Sequence, residues 1–226
     1  MIAELGHYAL VLALSVALVQ ATVPLYGAWR GMAGWVGLAR PAAIVQCLLV
    51  MIAFGALTYA YVTSDFSVLN VASNSHSAKP MLYKISGVWG NHEGSLLLWL
   101  LILVLFGGAV ALFGGNLPAP FRARVLAVQA MIAVGFTSFV LFTSNPFVRL
   151  LPAPMDGRGL NPLLQDPGLA FHPPFLYLGY VGFSMAFSFA VAALIEGRVD
   201  AAWARWVRPW TLAAWCFLTM GIGLGS

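Results

Sequence analysis

Long uninterrupted apolar segments dominate this chain and constrain its fold more than any other feature. A helix of about 20 apolar residues crosses a hydrocarbon core of ~30 Å. Only 8% of the 226 residues are charged, against ~25% in soluble domains, and no alternating strand pattern interrupts the apolar runs. The sequence therefore predicts an all-α, polytopic membrane bundle over residues 1–226. We place six spans, at about 5–27, 42–63, 94–114, 124–144, 174–195 and 209–225.

The distribution of cationic residues between the connecting loops predicts the orientation of the bundle. Cytoplasmic loops are enriched in Lys and Arg. One set of connections holds Arg30, Arg40, Arg122, Arg124, Arg198, Arg205 and Arg208; the other holds Lys79, Lys84, Arg149 and Arg158. The sequence thus predicts an outer N-terminus, with the net charge of +4 reflecting loop placement rather than nucleic-acid binding.

Two long loops, at about 64–93 and 145–173, fall on the predicted outer face. Loops longer than ~12–15 residues are usually functional or disordered, so we expect the working surface there. The second loop is rich in proline and glycine but keeps many apolar residues. This composition predicts a loop that packs, either on the membrane surface or against the other outer loop.

The first of these loops ends in the motif GVWGNHEGSLLLW, residues 87–99. One interpretation is a polar cluster at the membrane surface, built on Trp89, His92 and Glu93, that binds a ligand or partner. The other is helix-start chemistry, in which Asn91 caps the helix, Glu93 is favoured by the helix dipole and the tryptophan is an interfacial residue. The residues alone leave both interpretations open.

The second loop ends in Phe171-His172 followed by a double proline. Proline suits the first turn of a helix because its missing N–H would be unpaired there, so we expect the fifth span to start at Pro174 with His172 just outside it. Imidazole is a common axial ligand of haem iron, and Phe171, Phe175 and Tyr177 could pack against a haem. A histidine that caps a helix or wets the interface is the alternative.

Taken together, GVWGNHEGSLLLW, PFVRLLPAPMDGRGLNPLLQDPGLAFHPPFLYLGYVGFS and the terminal GIGLGS closely resemble the N-terminal part of the CcmF haem lyase family. The resemblance implies a multi-pass protein of the bacterial inner membrane with a periplasmic N-terminus and working face. Such a protein accepts haem from the haem chaperone CcmE. With the CcmH and CcmI components it promotes thioether attachment of the haem to Cys-x-x-Cys-His of apocytochrome c.

The resemblance also implies roles for individual residues. His172, in the FHPP motif, corresponds to one of two periplasmic histidines that ligate the iron of the incoming haem, whereas the outer-surface motif with Trp89, His92 and Glu93 has no assigned role. The second histidine, a tryptophan-rich segment and the ligands of a membrane haem b are expected downstream of Ser226. Residues 1–226 alone are therefore not expected to catalyse attachment.

Three alternative functions compete with this one. A paralogous lyase dedicated to a nitrite reductase cytochrome shares these motifs, and a non-catalytic scaffold for the maturation complex also fits. A proton- or quinone-linked membrane subunit would need ionisable residues deep inside its spans. His92, Glu93 and His172 all lie at predicted span ends, which argues against that third class.

Overall fold

The structure is a computed structural model that describes residues 1–225, apart from the side chain of Leu169; Ser226, the last residue of the predicted bundle, lies outside the described residues. Within the described part every regular segment is helical, which confirms the predicted all-α fold. The α-helices are α1 (Ile2–Arg30), α2 (Ala33–Gly37), α3 (Ala39–Val62), α4 (Leu69–Asn74), α5 (Met81–Ser86), α6 (His92–Phe113), α7 (Ala119–Phe142), α8 (Pro167–Glu196) and α9 (Ala201–Leu224).

Five helical segments of the described chain are long and apolar enough to cross a membrane. They are Ile2–Arg30, Ala33–Val62, His92–Asn116, Ala119–Phe142 and Ala170–Glu196. Helix α9 has 24 residues, but its first half carries Arg205 and Arg208, and it is not among these five. The multi-pass helical architecture is thus supported, while the sixth span and the outer N-terminus stay predictions.

Polar side chains join the long helices inside the bundle. Helix α1 packs along α3 and α7, and Gln20 Nε2 of α1 donates to Leu126 O of α7 at 3.0 Å. Gln129 of α7 donates to Leu103 O of α6 at 2.9 Å and accepts from Ser188 Oγ of α8 at 2.9 Å. Hydrogen bonds of this kind contribute ~0.6 to ~2 kcal/mol each between membrane helices. They therefore stabilise the contacts of α1 with α7 and of α7 with α6 and α8.

Helices α8 and α9 approach so closely that their backbones touch through glycine. A Cβ atom placed on Gly179 of α8 would lie 2.2 Å from Leu218 N of α9. A Cβ on Gly221 of α9 would lie 2.6 Å from Leu176 Cα of α8. Small residues permit such close packing of membrane helices, which confines the start of α8 against the end of α9.

Arg149 connects the second long loop to α1 and to the first long loop. Its guanidinium forms a bidentate pair with Glu4 of α1 (Nε–Oε1 2.8 Å, Nη2–Oε2 2.9 Å) and also contacts Asp65 Oδ2 at 3.1 Å. The Arg149 backbone forms an isolated antiparallel bridge with Val68. Of the two packing modes predicted for this loop, the structure has the one against the other long loop, which itself contains α4 and α5.

The start of α8 differs from the sequence prediction. The double proline was expected to begin the helix and leave His172 outside, but the helix begins at Pro167 and includes His172, Pro173 and Pro174. Pro167 takes the first helical position that favours proline, and Asp166 Oδ1 accepts from Gly168 N at 2.8 Å, as a cap does. His172 therefore has the fixed backbone of a helix rather than that of a loop.

Candidate functional site

The residues singled out by sequence gather at one end of the bundle, where α6 and α8 begin and α3 and α7 end. We call it the site end. The structure divides these residues between the two sides of α8. His172 and Phe175 face α9, whereas Tyr177 faces α6 and the residues of the WGNHEG motif. The predicted residues are Trp89, His92, Glu93, Phe171, His172, Phe175 and Tyr177.

The imidazole of His172 is held by the backbone of α9. Its Nδ1 lies 2.7 Å from Gly221 O, and a carbonyl oxygen only accepts, so Nδ1 carries the proton. The ring is partly exposed. A hydrogen bond from one ring nitrogen to a carbonyl fixes the tautomer and leaves the other nitrogen, here Nε2, as the basic one that can bind a metal. The geometry therefore suits an axial ligand.

The aromatic residues predicted to pack against a haem have different surroundings. Phe171 is 52% exposed next to His172. Phe175 pairs with Phe217 of α9 at 6.4 Å between ring centroids, on the same side of α8 as the His172 ring. The Tyr177 hydroxyl lies 2.7 Å from Ser95 Oγ of α6, on the other side. Phe171 and Phe175 are thus placed near the imidazole, and Tyr177 joins α8 to α6.

The double proline connects the two sequence motifs. Proline has no N–H, so Pro174 cannot donate to the carbonyl of Ala170 four residues earlier. Trp89 Nε1 donates to this same carbonyl at 3.0 Å. The indole of the first motif thus supplies the hydrogen bond that the proline of the second motif cannot make, and it fixes the first turns of α8 to the start of α6.

Asn91 is the N-cap of α6, as one of the two interpretations of the WGNHEG motif predicted. Its Oδ1 accepts from Gly94 N at 2.9 Å, as an N-cap residue does. The same oxygen accepts from Asn70 Nδ2 at 2.8 Å, and Asn70 Nδ2 also lies 3.2 Å from Glu93 Oε2. Tyr61 OH donates to Asn70 Oδ1 at 2.6 Å. The cap is therefore part of a larger network that joins α3, α4 and α6.

His92 is exposed at the site end and is not part of that network. Its Nε2 lies 3.2 Å from Ser144 Oγ, just beyond the end of α7. A cavity of about 350 Å³ opens beside it between the two motifs, near the lower limit for ligand pockets. Its lining includes Trp89, Asn91, His92, Ser95, Pro173 and Tyr177. The cavity lies on the α6 side of α8, whereas the His172 ring lies on the α9 side.

Lys79 supplies a buried cation beneath this motif, outside the membrane-spanning segments. It is 8% exposed, and its Nζ donates to Asn74 O at 3.1 Å. Burial and the nearby Lys84 lower its pKa to about 8 from 10.5. Between those two values the folded protein holds fewer protons than the unfolded chain, so this lysine makes stability rise with pH from about 8 towards 10.5.

We predict that Lys79→Met raises the Tm at pH 7 and removes this part of the pH dependence, because the apolar side chain needs no hydration. Thermal unfolding of the two proteins in detergent at pH 7 and pH 10 measures both effects. Arg158→Met is the control, because Arg158 is an exposed cation of the other long loop and does not contribute to the lowered pKa of Lys79. An equal Tm difference between wild type and Lys79→Met at both pH values would contradict the prediction.

Several residues of the site end were missed by sequence reasoning. Asn70, Tyr61, Ser95 and Ser144 make the contacts just described, yet they lie in different segments of the chain, so that no local pattern connects them. Asn70 in VLNVASN gave one signal in the sequence, because an amide within an apolar stretch needs hydrogen-bond partners if it is buried. In the structure Asn70 is 5% exposed.

The comparisons with known proteins agree with one another. Residues 89–226 match the family model described as "Cytochrome C assembly protein". Over its whole length the chain is 73% identical to the cytochrome c-type biogenesis protein ccl1 of Rhodobacter capsulatus and 53% identical to CcmF of Escherichia coli, covering 35% of each relative. It is 42% identical to NrfE of Haemophilus influenzae, covering 36% of that protein.

A solved structure, that of "Cytochrome c Heme Lyase CcmF", has the same architecture. The TM-score is 0.86 at 31% identity, and the match covers 98% of this chain and 35% of the solved chain. The chain thus spans about a third of the length of the relatives that it matches. Its family match begins at Trp89, the first residue of the WGNHEG motif, and continues through α6, α7, α8 and α9. The chain belongs to the cytochrome c assembly protein family.

Proposed function

We propose that this chain is the haem-receiving part of a membrane haem lyase, and that His172 binds the iron of the substrate haem. The main support for this proposal is the 2.7 Å hydrogen bond from His172 Nδ1 to Gly221 O. It sets the tautomer in which Nε2 carries the lone pair that can bind iron. The match to a haem lyase structure supports the choice of haem as the metal compound.

The other residues of the site end position this imidazole. Trp89 fixes the first turns of α8 through Ala170 O, and α9 holds the ring from the other side. Phe171 offers an exposed apolar face beside it, suited to one face of a haem macrocycle. In this proposal His172 supplies one of the two axial ligands of the haem iron.

In the whole protein, the haem comes from the periplasmic chaperone CcmE, and the apocytochrome is presented together with CcmH and CcmI. Each cysteine thiol of Cys-x-x-Cys-His then adds across one haem vinyl group. The sulfur bonds to one vinyl carbon and the proton goes to the other, so that no oxidant is consumed. The protein contributes mainly position, because the reactivity belongs to haem and thiol. We place this work at the periplasmic face of the bacterial inner membrane.

The lyase dedicated to a nitrite reductase cytochrome is the second candidate. The identity to NrfE of Haemophilus influenzae is 42%, against 56% to CcmF of the same organism. This difference favours the general cytochrome c function. A scaffold without haem contact would not need the fixed tautomer of His172.

The test is to load the detergent-purified protein with haem from its chaperone and to measure the Soret absorbance gained per protein. We expect His172→Ala to lower the gain about tenfold, since even the partners of a metal ligand affect affinity by ~10- to 100-fold. His76→Ala is the matched control, because His76 is a loop histidine at the same end whose ring contacts Asp156 rather than α9.

Rescue distinguishes lost ligation from lost folding. Added imidazole is expected to restore haem loading and a bis-imidazole spectrum in His172→Gly, because the small ligand replaces the missing ring. Undiminished loading in His172→Ala, or equal loss in His76→Ala, would refute the assignment of His172.

A further inference from the structure

A second cavity lies at the end of the bundle opposite the candidate site. It has a volume of about 390 Å³ and lies where α1 ends and where α3 and α7 begin. Most of its lining is glycine and alanine, but two cationic side chains also line it, Arg40 of α3 and Arg122 of α7.

The positive charge of this cavity is not neutralised by the described residues. Two carboxylates lie at this end, and both have partners: Glu196 pairs with Arg124 at 3.2 Å and Asp200 with Arg198 at 3.0 Å. Among residues 1–225 no ion pair is formed by Arg40 or Arg122. Two like charges held beside one small cavity favour an anion between them.

A second, apolar groove lies further along α3. Ile44, Cys47, Leu48 and Met51 lie four, seven, eight and eleven positions after Arg40, on the same face of the helix. These four residues form one wall of a groove of about 310 Å³, and α6 forms the other. At 1.5 Å per residue, eleven positions span ~16 Å, about half of a ~30 Å hydrocarbon core.

We propose that an anionic phospholipid binds here, with its phosphate between Arg40 and Arg122 and one acyl chain in the groove between α3 and α6. Basic pockets between membrane helices on the cytoplasmic side bind lipid headgroups in this way. The groove selects a lipid over a free phosphate, because a small anion would use the two arginines and leave the apolar walls empty. Arg40 lies about one helical turn before Ile44, the first α3 residue of the groove, so the phosphate and an acyl chain of one lipid can reach both.

Arg122 and Arg124, both on α7, differ in how their positive charges are compensated. Arg124 is compensated by Glu196 and by the carbonyl of Ala28 at 3.3 Å. Arg122 donates to Gly114 O at the end of α6, which leaves its net charge in place. A lipid bound at this position would contact α3, α6 and α7 together.

The experiment is lipid binding by native mass spectrometry of the detergent-purified protein. The probes are phosphatidylglycerol, phosphatidylcholine with the same acyl chains, and inorganic phosphate. We expect phosphatidylglycerol to bind at least tenfold more tightly than the other two, and Arg40→Gln to lower its affinity about tenfold. Arg30→Gln is the matched control, since Arg30 lies at the same end over the Trp29 ring and outside the cavity, and we expect it to bind as wild type does.

A variant of the groove tests the acyl chain separately. Ala109→Phe on the α6 wall is expected to weaken binding of long-chain phosphatidylglycerol and to leave dihexanoyl phosphatidylglycerol unchanged. Equal affinity for phosphatidylcholine, binding of inorganic phosphate as tight as that of the lipid, or equal losses in Arg40→Gln and Arg30→Gln would overturn the proposal.

Discussion

Replacing Gly94 by alanine is expected to destabilise the site end more than any other single-methyl change considered for this protein. A Cβ atom on Gly94 would lie 1.6 Å from Val88 O, a separation that no rearrangement of side chains relieves. The backbone of the WGNHEG turn would have to move, and the Asn91 cap with it. We expect a loss of ~3 kcal/mol, at the upper end for overpacking, or ~6–12 °C in Tm for a chain of this size.

Gly107→Ala is the matched control on the same helix. The nearest atom to a Cβ on Gly107 is Gln129 Cγ at 3.6 Å, an ordinary contact, so we expect its Tm to stay within ~2 °C of wild type. Thermal unfolding in detergent compares the two variants directly. Similar Tm values for Gly94→Ala and Gly107→Ala would show that the WGNHEG turn is not as tight as its geometry indicates.

Replacing Gly221 by alanine is expected to separate α9 from α8 and to weaken haem loading. The added Cβ would lie 2.6 Å from Leu176 N and Cα, which are backbone atoms of α8. Overpacking against backbone costs ~2–3 kcal/mol. Because Gly221 O also holds His172 Nδ1, the same displacement frees the imidazole. We therefore expect a lower Tm together with a several-fold loss of chaperone-delivered haem.

Gly223→Ala makes the same chemical change two residues further along α9. Among the described residues, a Cβ on Gly223 would meet no neighbouring atom within 4 Å, so that haem loading should equal that of wild type and the Tm should be equal or slightly higher, as helix propensity favours alanine. Measuring the Soret absorbance and the Tm of both variants separates close packing from helix propensity, which is altered equally. If Gly221→Ala loaded haem as Gly223→Ala does, the α9 backbone could not be the element that orients His172.

The sequence allowed the all-α fold class to be predicted because apolar runs of this length leave a chain few alternatives. The Asn91 cap was also predictable, since capping depends on residues within one turn. The family was recognised from two motifs. The sixth span is harder to predict from the sequence, because Arg205 and Arg208 interrupt the apolar character of α9.

The start of α8 and the network around Asn70 could not be predicted because both depend on distant residues. A double proline normally marks a helix start, but here Trp89, 81 positions before Ala170, supplies the hydrogen bond that Pro174 cannot make. Asn70 likewise finds its partners on α3 and α6. The division of the predicted site between the two sides of α8 follows from helix packing, which the motif itself does not reveal.

The two hydrogen bonds that hold the start of α8 also have a kinetic consequence. Ala170 O is held by Trp89 on one side and His172 Nδ1 by Gly221 on the other, so the imidazole has little conformational freedom to lose when it meets its ligand. A preorganised group binds without waiting for a rearrangement of the protein. With His172 in its proposed role as a haem ligand, haem capture is therefore expected to follow simple second-order kinetics that rise linearly with donor concentration, and the residence time to depend on breakage of the iron–nitrogen bond rather than on motion of α8.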